Sequence, residues 1–229
     1  MTTPLEPTYR QGVGYQALLL GGFSTLATAL LVAGNIATKS DIQERQREDL
    51  LRSLNQVIPA EYYDSDLLQQ PLSIQDDQGD SLTVYRGLEG MQVNALAWEV
   101  VGQGYAGEIR LILGVNAKGE VLGVRVLSHA ETPGLGDKIE IEKGNWILSF
   151  NDLSLKNTTT QQWHVKKDGG QFDQFSGATI TPRAVVKAIH SGLTFFEAHK
   201  DELLNPPVIN TKSVSLSKQA SLPEETSHE

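Results

Sequence analysis

The sequence predicts an α+β fold: a single N-terminal transmembrane helix followed by a soluble domain with a mostly antiparallel sheet and flanking helices. Three observations lead there. No charged side chain occurs from Gln11 to Thr38, a run longer than the roughly 20 helical residues that cross a hydrocarbon core. Glu108 to Val115 and Glu120 to Ser128 are apolar, alternating stretches on either side of Asn116-Ala-Lys-Gly119, the pattern of a β-hairpin. Ala184, Val185, Ala188, Ile189, Leu193 and Phe196 recur at helical spacing behind Thr181-Pro182.

In chain order, residues 1–14 form a short tail and residues 15–37 the span. Gly21-Gly22 and Ser24-Thr25 interrupt the apolar run, but small residues are common in spanning helices and can mark helix contacts. A cleaved signal peptide is the competing reading. The run exceeds the usual ~7–15 apolar residues of such a peptide, and Asn35-Ile36-Ala37 is a poor cleavage site. Residues 38–60 read as a stalk helix that stops before Pro59, with Ile42, Leu50, Leu51, Leu54 and Val57 apolar among charges. An amphipathic helix packed on the soluble domain fits the same pattern.

Residues 61–204 make the soluble domain. Glu61 to Asp80 is polar and turn-rich, Leu82 to Tyr85 reads as a short strand, and Gln92 to Val101 as another. Gly102-Gln-Gly104-Tyr105-Ala106-Gly107 connects to the hairpin; no βαβ unit follows it, so it is not a dinucleotide fingerprint. The hairpin leads into His129-Ala-Glu131-Thr132-Pro133-Gly134-Leu135-Gly136-Asp137-Lys138. Two glycines and a proline in four positions dictate a tight irregular loop, suited either to a ligand wall or to a plain surface turn. Ile139 to Phe150 is expected to be helical or mixed, Trp163-His164-Val165 a strand, and the last helix to end near Leu204. Residues 205–229 begin Asn205-Pro206-Pro207 and are then dominated by Ser, Thr, Lys and Glu. Such a tail has too little apolar content to pack.

Composition excludes several functions. A formal charge of -9 over 229 residues argues against a nucleic-acid surface. The absence of cysteine removes disulfides, thiolate catalysis and Cys-ligated zinc or iron–sulfur centres. His129, His164, His190 and His199 are not at metal-ligand spacing, and His228 lies in the tail. No metal site and no catalytic triad are assigned.

The chemistry concentrates at Asp173-Gln-Phe-Ser176-Gly177-Ala178-Thr179-Ile-Thr181. Ser176, Gly177 and Ala178 are small, so a bulky group can approach the backbone. Thr181-Pro182 reads as a helix start, with Thr181 at the N-cap and Pro182 first in the helix. A helix N-terminus offers free N–H groups and the positive dipole end. A phosphate on the Thr179 hydroxyl would therefore meet a neutralising backbone.

Asp173-x-x-Ser176-Gly177-Ala178-Thr179 resembles the attachment motif of the covalent FMN-binding family, and Glu131-Thr-Pro-Gly-Leu-Gly136 resembles that family's second signature. With the anchor and the spacer, the whole is similar to the G subunits of Rnf (Rsx) electron-transport complexes. The C subunit of the sodium-pumping NADH:quinone reductase is their relative and the alternative assignment. The resemblance implies FMN attached by a phosphoester to Thr179, by a flavin transferase to which Ser176, Gly177 and Ala178 give access. Asp173 would contact the transferase or simply cap a turn. The Thr181 hydroxyl would stabilise the phosphate. Glu131, Thr132, Leu135 and Gly136 would line the flavin, and Lys138 would lie near its phosphate or N1 side or stand in solvent. Trp146 would stack on the ring or belong to the core.

The implied role is an electron relay without independent catalytic activity, working among other membrane subunits of an Rnf-type complex between ferredoxin and NAD, coupled to ion translocation. The implied location is the bacterial inner membrane, with residues 1–14 cytoplasmic and the flavin domain periplasmic. A count of basic residues opposes that orientation. Arg10 stands before the span, and Lys39, Arg45, Arg47 and Arg52 follow it. A non-redox membrane adaptor is the second alternative.

Overall fold

The computed structural model describes residues 12–206 apart from 70, 76–78 and 80. Most of the 1–14 tail, and the 205–229 tail from residue 207 onward, lie outside the described residues. The chain divides into two compact units, Met1–Leu50 and Leu51–Glu229.

Helix α1 runs Val13–Val57. Its Val13–Asn35 segment is long and apolar enough to cross a membrane, and none of it is buried. Twenty-three residues rise about 35 Å as a helix, more than the ~30 Å hydrocarbon core. The hydroxyls of Thr25 and Thr28 are satisfied locally: Thr25 Oγ1 donates to the Gly21 carbonyl at 2.8 Å and Thr28 Oγ1 to that of Ser24 at 2.9 Å. These polar groups therefore need no water. The helix continues without a break through residues 37 and 38, and ends at Val57, two residues before Pro59. A 3-10 turn, Ala60–Tyr62, follows.

In the second unit, five strands form one antiparallel meander in the order β1 (Leu72–Gln75), β2 (Ser81–Glu89), β3 (Gln92–Gln103), β4 (Glu108–Asn116), β5 (Val121–Ser128). The hairpin β4–β5 turns at Asn116, whose Oδ1 accepts from the N–H groups of Lys118 and Glu120. The register shifts between Gly87 and Leu88, between Arg110 and Leu111, and between Gly114 and Val115. These bulges increase twist. Strand β1 departs from the expected loop. Only Ile74 of its four residues is buried, so no alternation shows in the sequence.

Both sheet faces are covered. Helix α2 (Ile180–Ala198) packs on the face bearing Trp98, Val100 and Leu113. Gly192 sits against all three of these side chains, and Gly102 lies under the Ala184 carbonyl. Trp98 stacks on Phe196 with centroids 6.4 Å apart and rings 8° from parallel. Successive strand residues point to opposite faces, so Gly114, next to Leu113, faces away from α2. There the C-terminal end of α1 docks through the fully buried Leu54, Val57 and Ile58, and the Val57 backbone lies directly on Gly114 and Gly123. Side chains at these two glycines would push the helix off the sheet. A short helix α3, Lys200–Leu204, closes the unit.

The stretch from Ile139 to Phe150, expected to be helical or mixed, is mixed: it holds the end of one 3-10 turn, Asp137–Ile139, and a second, Trp146–Phe150. The expected strand Trp163-His164-Val165 is a looped segment with a single bridge from Val165 to Phe172. Both segments are ordered by aromatic packing. Phe150 stacks on Phe172 at 4.5 Å and on Trp163 at 6.3 Å, and Trp146 meets Phe175 edge-on at 5.0 Å. Buried rings hold this layer without a sheet ladder.

Gly114→Ala places a methyl group against the Val57 backbone, an overpacking cost of about 1–3 kcal/mol. At about 2–4 °C per kcal/mol for a chain of this size, thermal unfolding in detergent should fall by several degrees. Gly144→Ala, with open space around it, should leave the midpoint in place.

Candidate functional site

Three segments converge on a cleft of about 540 Å³, within the range of roughly 300–1,000 Å³ for small-molecule pockets. Tyr105 comes from the β3–β4 connection; Glu131, Thr132, Leu135 and Gly136 from the loop after β5; and Gly177, Ala178, Thr179, Ile180 and Thr181 from the start of α2. Two distant stretches singled out in the sequence thus form one site.

Glu131 ties the three together. It is buried at 5% exposure, and a buried carboxylate requires hydrogen-bond donors. Its Oε1 accepts from the Ala106 N–H at 3.0 Å, and its Oε2 accepts from the fully buried Thr181 hydroxyl. Gly136 is needed for this contact. A Cβ there would stand 2.8 Å from the Glu131 Cβ and 3.0 Å from Thr181 Oγ1. Gly104 is similarly confined by the Glu131 carboxylate. Gly134, by contrast, is glycine because of its φ of 80°.

The helix begins at Ile180, one residue before Thr181, and Thr179 is its N-cap. This corrects the reading of Thr181 as cap and Pro182 as first residue. Thr181 is inside the first turn, and its hydroxyl is committed to Glu131 rather than directed at an anion. Thr179 makes no side-chain capping bond, so its Oγ is not engaged there. First-turn amides lack intrahelical acceptors, and of the residues that follow Thr179, Ile180 and Thr181 supply N–H groups while Pro182 supplies none. Gly177 takes a φ of 82°, which turns the chain at the cleft rim beside Leu135. Leu135, 42% exposed, presents an apolar wall.

The other expected positions fall outside the cleft lining. Ser176 is exposed at the turn before Gly177. Lys138 is exposed on the Asp137–Ile139 turn. Asp173 is exposed and paired with Lys166 at 2.6 Å. Trp146 buttresses the segment before α2 from behind: its Nε1 donates to the Asp173 carbonyl at 2.8 Å, and its ring packs on Phe150 and Phe175. Of the two readings of Trp146, the packed one fits this geometry. Tyr105 and Ile180 were not singled out in the sequence. An aromatic in a glycine-rich connection, 73% exposed, is the signal for Tyr105.

A second, smaller cleft of about 370 Å³ lies along α2, lined in part by Trp163, His164, Asp168, Arg183 and His190. Arg183 Nε and Nη2 donate to the Asp168 carboxylate at 2.6 Å each, which holds that carboxyl below its ordinary range. Burial, and secondarily the charge of His164, lowers the pKa of His190.

Comparison with known proteins adds the family. Residues 13–57 match the RnfG N-terminal region, and residues 104–194 match the FMN-binding domain. A protein of Cereibacter sphaeroides, named as the G subunit of an ion-translocating oxidoreductase complex, is 50% identical over 189 residues, covering 82% of this chain and 86% of its own. Its counterpart in Shewanella amazonensis is 47% identical over 196 residues, covering 83% and 91%. This chain belongs to the family of G subunits of ion-translocating oxidoreductase complexes. Every residue lining the main cleft falls inside the FMN-binding domain. The crystal structure of Shewanella oneidensis NqrC is a looser likeness, with 20% identity, a TM-score of 0.45, and coverage of 66% of this chain and 73% of that one. The α+β class and the Rnf assignment expected from the sequence both hold.

In this G subunit, Glu131→Leu leaves the buried Thr181 hydroxyl without its acceptor and should cost on the order of 1–3 kcal/mol; an unchanged thermal midpoint would contradict the role given to this carboxylate. The lowered pKa of His190 means that the unfolded chain binds more protons between the folded and unfolded pKa values. Stability from this group is therefore intact above about pH 6.5 and lost as pH falls below it. His190→Asn should flatten the pH dependence of unfolding on that acid side, and equal slopes for the two proteins would refute it.

Proposed function

We propose that the cleft between the Glu131–Gly136 loop and the start of α2 holds FMN, joined through its phosphate to the Thr179 hydroxyl, and that the subunit relays electrons within a membrane complex. The observation that carries this is the convergence of both signature stretches on one cleft with Thr179 at its edge, inside an FMN-binding domain.

The residues fit the group. The Thr179 side chain is free of capping duty and partly exposed, as a nucleophile that must meet a flavin transferase requires. The amides of Ile180 and Thr181 and the positive end of α2 lie next to the position that a phosphate on Thr179 takes up, and they favour the remaining negative charge. Leu135 and Tyr105 supply apolar and aromatic surface for a planar ring. Ser176 and Gly177 leave the approach uncluttered, and Asp173 stands exposed beside it for recognition by the transferase. The Lys138 side chain and the Thr181 hydroxyl have no direct part in holding the phosphate. Bound FMN would supply the redox chemistry; the protein supplies position and electrostatics. A covalent link suits a carrier that must not exchange its cofactor with solvent.

The wider reading follows from the family. The Val13–Asn35 segment would anchor the chain in the bacterial inner membrane, with the flavin domain on the periplasmic side and other Rnf-type subunits beside it. Electrons would pass between ferredoxin and NAD, coupled to ion translocation. The match to the RnfG N-terminal region favours this over membership in the sodium-pumping quinone reductase.

Coexpression with a flavin transferase, followed by intact-mass measurement, tests the link. The native chain should weigh one FMN, less water, more than its residues, and Thr179→Ala should weigh its residues alone. A native chain without the increment, or an increment that survives Thr179→Ala, would refute attachment at this hydroxyl. Retained complex activity in a flavin-free Thr179→Ala would favour the adaptor reading.

A further inference from the structure

The segment bearing Glu131 is held from behind by His129, which does not line the main cleft. The Glu131 backbone N–H donates to His129 Nδ1 at 3.0 Å, and Nε2 of the same ring lies 2.6 Å from Glu140 Oε1. The His129 side chain is 9% exposed. A backbone amide has one proton and no acceptor capacity in this contact. Nδ1 must therefore present its lone pair, and the ring proton must sit on Nε2, where the Glu140 carboxylate accepts it. A single neutral tautomer satisfies both contacts. Glu140 ends the Asp137–Ile139 turn, so the ring closes the base of the whole Glu131–Asp137 loop.

We propose that His129 is a positioning residue for the flavin cleft. As an acceptor at Nδ1 it fixes the Glu131 peptide, and so aims the Glu131 carboxylate at Thr181 and Ala106 and sets the Thr132–Gly136 wall. This rests on the reading that the cleft holds FMN. Without an acceptor the buried Glu131 N–H is left unpaired, and the peptide turns to find one. The carboxylate on the same residue then loses its approach to the α2 start and to the β3–β4 connection at once.

Three variants separate this role from simple space filling. His129→Asn keeps an acceptor oxygen near the place of Nδ1 and loses Nε2. His129→Gln reaches toward Glu140 with its amide end and leaves no acceptor where Nδ1 stood. His129→Leu supplies neither. The full-length flavinylated chain in detergent is measured three ways: intact mass for flavin content, hydrogen exchange at residues 131–136, and visible circular dichroism of the flavin band. Wild type and His129→Asn should share protection and dichroism. In His129→Gln and His129→Leu, protection at the Glu131 amide should drop about tenfold, as for one lost neutral hydrogen bond, and the dichroism should weaken with flavin content unchanged. His129→Gln behaving as wild type, or His129→Asn as poorly as His129→Leu, would overturn the proposal. A wild-type chain without flavin would instead overturn the FMN reading, while hydrogen exchange would still report on His129. Should the Gln and Leu variants not fold, ¹⁵N-histidine NMR of the wild type decides. A protonated Nε2 with a bare Nδ1 supports the proposal; the opposite tautomer, or a doubly protonated ring at neutral pH, refutes it.

Discussion

A carboxylate shut away from water has to be given donors, and in this protein that requirement organises the site. Glu131 takes one donor from the β3–β4 connection and one from the first turn of α2. Strand pairing at Arg110 and Ser128 already brings the β3–β4 connection beside the loop after β5; the carboxylate adds the start of α2, which lies far along the chain from both. The close approaches at Gly104 and Gly136 exist because the carboxylate and its hydroxyl partner occupy the space that side chains would fill. Once this contact is made, Thr179 stands at the mouth of a bounded cleft rather than on an open helix end.

The scaffold applies the same principle of small residues under a large load. The sheet carries a helix on each face, and at the points of closest approach it offers glycine: Gly102 beneath α2, and Gly114 and Gly123 beneath the end of α1. Since neighbouring strand positions face opposite ways, glycines in adjacent strands admit both helices without flattening the sheet's twist. The end of α1 is thus part of the flavin-domain core through Leu54, Val57 and Ile58. Within the second unit, the packed reading describes the last turn of α1.

The hairpin was legible because alternation over eight or nine residues, with a turn formed by Asn116 and Gly119, leaves little else for the chain to do. Helix α2 was legible from its apolar spacing, but its start was misplaced by two residues. Thr-Pro is a strong local cap signal, and here a tertiary demand for the Thr181 hydroxyl at Glu131 moved the cap to Thr179. Strand β1 was hidden by its brevity. Trp163-His164-Val165 was misread as a strand because stacking of Trp163 with Phe150 and Phe172 orders the chain without imposing any period. Tyr105 was overlooked because only the fold brings the β3–β4 connection to the start of α2.

A double-mutant cycle between Glu131→Gln and Thr181→Val measures the central contact without reference to flavin. The two side chains are hydrogen-bonded and buried. If they join the loop to the helix start as described, unfolding free energies should be non-additive by about 1–3 kcal/mol. Additive effects would mean that the cleft is assembled by some other contact.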